Sequence, residues 1–472
     1  MEASGSELKR QAEDYTYSAA LKKAKRITDL PPPSSFCKAR KWEKSQENDP
    51  IIFNHRPYSA DIPVTLYHEV FAHFQENCTS CLISKDDCNS VIELTMKMTE
   101  AFKLEDDRRN QFSEWASDYF ELDVTKLALP GPRQEADLWA GFSSGKNTFS
   151  LLIGEMKNEI GEGSGCPYIQ ACASYAKQIG TNANSTIQNG LNPAFIIYIA
   201  GPYLGVAGAV FGNDFTMEPL TSMLPLLYLK NAPEMMMVIV RTLVALKLAL
   251  KELVDYYSTP QVIPDISDLN LQRSAAFPYP CSFKTFDNRN VEFIYSNQLS
   301  EGKLLFIVQG QNEEFKDKLM IVKFTRKYCE DAHRYCAEKG IAPECFAFNN
   351  LPGGWNIVVM EYLAEYQSLY YILKNDRKNQ KKLVQKAKAA ARLMHKGGYV
   401  HGDFRTSNIM VSNDMEDMKI VDFDWSGRVG EALYPYFMSQ DVPWHKDVDC
   451  GKPIIVEHDL DLLKRSMEFE PF

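Results

Sequence analysis

The sequence predicts a mixed chain, α/β plus α+β, of two folded domains joined by a proline-rich segment. Three observations predict it. Helix-period and strand-period runs of apolar residues alternate in both halves. Pro260, Pro264, Pro278 and Pro280 crowd one stretch between those halves. With 472 residues the chain has room for two or three domains of about 100–200 residues each. The expected organisation is a flexible basic leader over 1–55, a first domain over 56–255, a linker over 256–280 and a second domain over 281–472.

Composition sets the outer bounds. Hydrophobic residues at 45% and charged residues at 24% fit a folded chain and exclude a disordered one. The net charge of −10 removes any whole-chain basic signature for nucleic acid. Residues 1–55 run the other way, with 10 Lys or Arg against 8 Asp or Glu. Eleven cysteines, an odd number, read as free thiols in a reducing compartment. No apolar run follows Met1, so no secretory signal peptide is visible. Arg241, Lys247 and Lys251 interrupt the most apolar run, Met235 to Leu253, which reads as a buried or amphipathic helix and not as a membrane span.

In the first domain, 91–102 and 112–120 carry helical spacing, 149–153 reads as a strand, 168–179 as a helix, and 195–199 and 204–211 as buried strands. In the second, 291–299 and 304–309 read as strands joined by a turn at Glu301-Gly302, followed by a third strand at 318–324. A helix over 329–339 stops at Gly340, and 355–362 is a further strand. Leu383, Ala387, Ala390, Ala391 and Met394 line one face of a long helix that Gly397-Gly398 ends. That helix carries Lys or Arg over much of 374–396, read as its wet face.

The sharpest motif is His401-Gly-Asp403-Phe-Arg-Thr-Ser-Asn408, followed fourteen residues later by Asp422-Phe423-Asp424. It resembles the catalytic loop and metal-binding element of protein kinases, with Gly402 and Asp424 at the two departures. Phosphoryl transfer needs these types: Asp403 to take the proton of an attacking hydroxyl, Asn408 and Asp422 to hold magnesium. Lys323 matches the strand lysine that reaches the phosphates of ATP, with Glu330, or in second place Glu338, as its helix partner. Glu361 and Leu363 fall where the adenine contacts lie. Asp459 would brace the catalytic loop. No glycine-rich phosphate loop precedes Lys323. These residues predict a protein-kinase-like bilobal domain with a shortened C-lobe.

A second constellation lies upstream. The strand at 149–153 runs into Glu155-Met-Lys157, with Asp137 eighteen residues before Glu155. Residues i and i+2 of a strand face one way, so Glu155 and Lys157 would share a cleft. Two carboxylates hold Mg2+ or Mn2+ through oxygen, and a lysine steadies the attacking water or the transition state. Gln170 on the next helix and Glu105 near an earlier helix complete the candidate set. The pattern resembles the PD-(D/E)xK motif of restriction-endonuclease-like folds.

Together, the runs Ile153–Gly161, Tyr168–Ala171, Ala200–Phe211, His401–Asn408 and Val421–Gly427 resemble Crinkler-type effector proteins. In these a restriction-endonuclease-like half is fused to a fungal-type kinase-like half. The resemblance implies metal-dependent DNA cleavage, an ATP-binding kinase module and action in the nucleus. Lys9-Arg10 and Lys22 to Arg26 match a bipartite signal for a nuclear import receptor. The expected cofactors are Mg2+ or Mn2+ and ATP, the expected partners DNA and ATP, with no membrane. The alternative is a Ser/Thr-type protein kinase with a non-catalytic N-terminal domain.

Overall fold

Strands apolar at nearly every position must be covered on both faces. The computed structural model satisfies this demand for 194–200 and 203–211 at the centre of an eight-stranded sheet. It describes residues 17–468 apart from 48–49, 133, 146, 163–164, 182–189, 213, 260–275, 301 and 317. Lys9-Arg10, Glu301 of the expected turn and most of the expected linker lie outside the described residues. The chain divides into two units, Met1–Pro280 and Cys281–Phe472.

The first unit's strands are β1 (Ile52–Phe53), β2 (Thr125–Ala128), β3 (Glu135–Ser144), β4 (Asn147–Lys157), β5 (Ala194–Ala200), β6 (Tyr203–Phe211), β7 (Phe215–Pro219) and β8 (Leu224–Pro225). Their order is β1-β7-β6-β5-β4-β3-β2, with β8 beside β6. The pairs β2·β3 and β3·β4 are antiparallel hairpins. A parallel neighbour needs a crossover, and helix Pro167–Thr181 supplies it between β4 and β5. Alternation then sends Phe195 against Phe71 and Phe74 of helix Glu69–Ser80, and Ile196 and Tyr198 into the opposite cluster with Tyr168 and Ile179.

The expected flexible leader is corrected here. Residues 17–46 form helices Tyr17–Thr28, Pro33–Phe36 and Ala39–Gln46. Ala24, Ile27, Phe36 and Trp42 are buried in the same cluster as the crossover helix. The basic composition hid a narrow apolar stripe: burying aromatic residues the size of Phe36 and Trp42 stabilises by roughly 1.5–3 kcal/mol each. Within the import-type run, Lys23 Nζ meets Asp214 Oδ1 at 2.5 Å.

The run 235–253 lies in helix Pro233–Ser258, which buries Leu243, Leu246, Leu250 and Leu253 and packs on β3, β4 and helix Glu69–Ser80. Among the described residues no helix is long and apolar enough to cross a membrane. All eleven cysteines are free.

The second unit opens with β9 (Ser282–Lys284), β10 (Asn290–Gln298), β11 (Leu305–Gly310), β12 (Leu319–Thr325), β13 (Cys345–Leu351) and β14 (Trp355–Glu361). They form an antiparallel sheet in the order β13-β14-β12-β11-β10-β9. Helix Glu330–Glu338 follows β12. Beyond β14 come β15 (Tyr366–Ser368) and helices Leu369–Asn375 and Gln380–Lys396, then β16 (Tyr399–Val400), β17 (Ile409–Ser412), β18 (Met418–Ile420) and β19 (Gly427–Arg428). Helix Val456–Glu468 closes the unit. Leu383, Ala387, Ala391 and Met394 face its core, while Lys382 and Lys386 on the outer face pair with Glu416.

Candidate functional site

Each unit gathers carboxylates around a lysine. In the second unit Lys323 comes from β12 between β11 and β14, opposite Leu305 and Val358. Its Nζ lies 2.5 Å from Asp422 Oδ1 and 2.5 Å from Asp424 Oδ1. Burial alone would lower the Lys323 pKa, but Asp422 and Asp424 outweigh it and hold the ammonium above its ordinary value. For Asp422 burial pushes upward, Lys323 wins, and the pKa falls. For Asp424 burial prevails over Lys323, with Asp422 adding to it, and the pKa rises to about 6.

The expected pair between Lys323 and Glu330 is corrected. Glu330 Oε1 accepts from Arg334 NH1 at 3.0 Å, one turn along its own helix. In the 422–424 segment that the lysine meets, Asp422 is held at φ 73°, a left-handed conformation that costs an L-residue roughly 1–2 kcal/mol. Phe423 anchors that segment: its carbonyl accepts from Cys329 N–H at 3.1 Å, and its ring stacks on His333 at 4.8 Å.

The catalytic-type loop hangs from Asp459 of the last helix. Asp459 Oδ2 accepts from His401 N–H and Oδ1 from Gly402 N–H, both at 2.9 Å. Gly402 has φ 83°, a conformation that strains any L side chain, and a Cβ there would also press on Ile454 Cδ1 at 2.8 Å. Asn408 Nδ2 donates to Asp403 Oδ2 at 2.9 Å, and the Asn408 oxygen, a hard ligand atom, accepts from Ser407 Oγ at 3.5 Å. Arg405 Nε stands 2.9 Å from Asp403 Oδ1 yet aims its hydrogen at Oδ2, 3.2 Å away. Asp403 Oδ1 is therefore buried without an aligned donor. Burial raises the Asp403 pKa, with Arg405 and His401 opposing and Asp422 adding.

Glu361 ends β14, and its carboxylate accepts from Glu344 N–H at 3.2 Å. Leu363 follows, its carbonyl bonded by Tyr366 N–H at 3.3 Å.

In the first unit the β3·β4 register pairs Leu138 with Gly154, which sets Asp137 beside Glu155. Asp137 Oδ2 accepts from Met156 N–H at 3.0 Å. Glu155 is fully buried; Gln170 Nε2 donates to its Oε2 at 2.6 Å and Ser174 Oγ to its Oε1 at 2.5 Å. Burial first, then the charge of Asp137, pushes the Glu155 carboxyl well above the usual range, against the Ser174 hydrogen bond. Two carboxyls this close hold either a shared proton or a cation. Lys157 Nζ lies 3.5 Å from Glu105 Oε2, and Glu105, at the start of helix Glu105–Phe120, is raised by burial. Asp137, Glu155, Lys157, Gln170 and Glu105 thus meet at one place.

Among the described residues no group of three or more His, Cys, Asp or Glu side chains is arranged to hold a metal ion unaided. Both donor sets are pairs of hard oxygens, which suits a magnesium-type ion that keeps waters and phosphate oxygens. In that fit Asn408 and Asp422 would hold it in the second unit, Asp137 and Glu155 in the first.

Sequence reasoning missed Asp424, Arg405, Ser174 and Cys37. Asp424 stood out only as a departure from glycine. Ser174 lies one helical turn after Gln170, a spacing that marks the same face. Cys37, whose Sγ donates to Gln170 Oε1 at 3.6 Å, had no local signal.

Lysine, catalytic-loop aspartate, asparagine and metal-type aspartate in this arrangement define a kinase-like domain. Residues 289–443, about a third of the chain, match the RIO domain, an atypical protein kinase family. Solved structures similar to this chain include the Cydia pomonella granulovirus kinase PK-1, at 17% identity over 34% of this chain, TM-score 0.28. This chain spans 60% of that kinase chain. Vaccinia related kinase 3 is similar at 16% identity over 40% of this chain and 68% of its own, TM-score 0.31. No curated protein matches the chain.

Proposed function

We propose that the second unit transfers the γ-phosphoryl group of ATP to a hydroxyl, as a Ser/Thr-type protein kinase does. The observation that carries this reading is Asp403: a buried carboxylate whose Oδ1 has no aligned donor, placed beside Asn408 and Asp422. Asp403 Oδ1 would take the hydroxyl proton as the oxygen attacks. Lys323 would hold the nucleotide phosphates, and Arg405 would face the charge that builds on the transferring group. Magnesium, when bound, offsets phosphate charge. The test is transfer of labelled phosphate from ATP to the chain itself or to a generic acceptor protein. Asp403→Asn should lower it about 10²–10⁴-fold, the usual worth of a general base. Transfer at the wild-type rate would refute the assignment.

A second reading concerns the first unit, and the convergence of Asp137, Glu155, Lys157, Glu105 and Gln170 favours it. It is a metal-dependent phosphodiesterase acting on DNA. Asp137 and Glu155 would hold the ion, which lowers the pKa of an attacking water. Lys157, paired with Glu105, would orient that water or steady the negative phosphorus centre, and Gln170 with Ser174 fixes Glu155. Plasmid cleavage in Mg2+ or Mn2+ tests it; cleavage unchanged in Lys157→Ala would overturn it. Support for Crinkler-type effector action in the nucleus comes from the sequence resemblance and the two basic runs.

A further inference from the structure

A buried strand lysine that serves ATP needs a carboxylate to hold its ammonium in place. Glu330, the residue the sequence offers, is spent on Arg334. Asp424 fills the gap. Its Oδ1 meets Lys323 Nζ at 2.5 Å, and its Oδ2 accepts from Thr325 Oγ1 at 3.3 Å. Thr325 stands two residues along β12 from Lys323, so both side chains leave the same face of the strand; the Thr325 hydroxyl shares its one proton between Asp424 and the Lys327 carbonyl, 2.9 Å away. Lys323 and Thr325 are 9% and 8% exposed, so the strand side of the contact is buried.

We infer that Asp424 is the positioning residue for Lys323, taking over the task of a helix-borne glutamate. The lysine's orientation then depends on the 422–424 segment and not on helix Glu330–Glu338. One short segment, pinned by the Phe423 carbonyl and the Phe423–His333 stack, sets both the ammonium and the neighbouring Asp422. Both carboxylates stand 2.5 Å from the ammonium, so Asp424 can keep it when Asp422 turns to a cation.

The rate readout rests on the kinase reading above; a second readout does not. Full-length wild type, Asp424→Asn, Asp424→Glu and Glu330→Ala are compared for phosphoryl transfer across ATP and magnesium concentrations. In parallel the side-chain ammonium of Lys323 is followed by 15N-lysine NMR, with Lys323→Arg to assign it. Asp424→Asn should lower kcat about 10- to 100-fold, the loss of one charged hydrogen bond, with the KM for ATP changed less than about threefold. Asp424→Glu should recover most of the rate, and Glu330→Ala should stay within about twofold. The protected ammonium signal should vanish in Asp424→Asn and persist in Glu330→Ala. A Glu330→Ala loss equal to that of Asp424→Asn would overturn the inference. So would a faster Asp424→Asn enzyme, which would make the contact an inhibitory clamp. A shift confined to magnesium half-saturation would make Asp424 a metal ligand instead. Should wild type transfer no phosphate, the kinase reading falls and the ammonium signal alone decides the positioning role.

Discussion

The two units build similar clusters by different routes. In the first, Glu155 and Lys157 sit two residues apart on β4, and a hairpin neighbour brings Asp137 to their side. Strand geometry alone aims these side chains together, so local spacing is enough to specify the arrangement. In the second, Lys323 meets partners about a hundred residues away, and the chain must fold through a sheet and several helices first. Identity of the partner is decided there by tertiary placement, which is why Asp424 holds the lysine and Glu330 does not. The surroundings differ too. Glu155 has donors on both oxygens, whereas Asp403 keeps one oxygen buried without an aligned donor. Glu155 is fixed in place by its two donors, whereas Asp403 is held in place by Arg405 and Asn408.

The largest expected effect separates the units chemically. Lys157→Ala should reduce metal-dependent plasmid cleavage by about 10²–10³-fold, as loss of a transition-state donor does, while leaving phosphoryl transfer from ATP unchanged. If cleavage and transfer fall together in that variant, the two clusters are not independent and the comparison fails.

Next in size is the role of residues 17–46. Trp42→Ala should destabilise the first unit by about 3–5 kcal/mol in urea unfolding, since Trp42 is 3% exposed within the core cluster. A flexible leader would predict no change. The second unit should show no shift in this variant.

Acid sensitivity sharpens the contrast from the other side. Burial lowers the His333 pKa to about 4, with the Pro343 carbonyl opposing. The unfolded chain, with an ordinary value near 6.5, binds this proton more readily than the folded one. Stability from this group is present above pH 6.5 and is lost as pH falls toward 4, by roughly 3 kcal/mol at most. His333→Gln should flatten the pH dependence of unfolding of the second unit in that window.

The smallest effect on folding is expected at Lys22 and Lys25, which are exposed on helix Tyr17–Thr28. Replacing both by alanine should alter stability by less than about 0.5 kcal/mol. If this run serves import, the nuclear fraction of a fluorescently tagged chain should drop; an unchanged fraction would remove the import role.

Much of this was legible in the sequence for a physical reason. Alternating or continuous apolar runs such as 195–199 and 204–211 announce their strands, and Gly397-Gly398 announces the end of the helix before it. The motif residues Asp403, Asn408 and Asp422 lie on one short stretch whose order maps onto their spatial order. The leader was misread because lysine-rich composition outweighed five buried core residues spread over nineteen positions, Ala24 to Trp42. Strand β3 and helix Glu69–Ser80 were not foreseen: the first mixes Gly141 and three serines or glutamates with its apolar positions, and the second has an apolar stripe of only four buried residues. The φ of Asp422 and the Lys323–Asp424 contact depend on long-range packing, which no local pattern encodes.

The proposed reading gives the chain two separate phosphate-chemistry sites, one in each unit. The most direct test assays both activities in one preparation each of wild type, Lys157→Ala and Asp403→Asn. The account predicts a crossed result: Lys157→Ala loses plasmid cleavage and keeps phosphoryl transfer, and Asp403→Asn does the reverse. Cleavage at the wild-type rate in Lys157→Ala, or loss of both activities in either single variant, would contradict it.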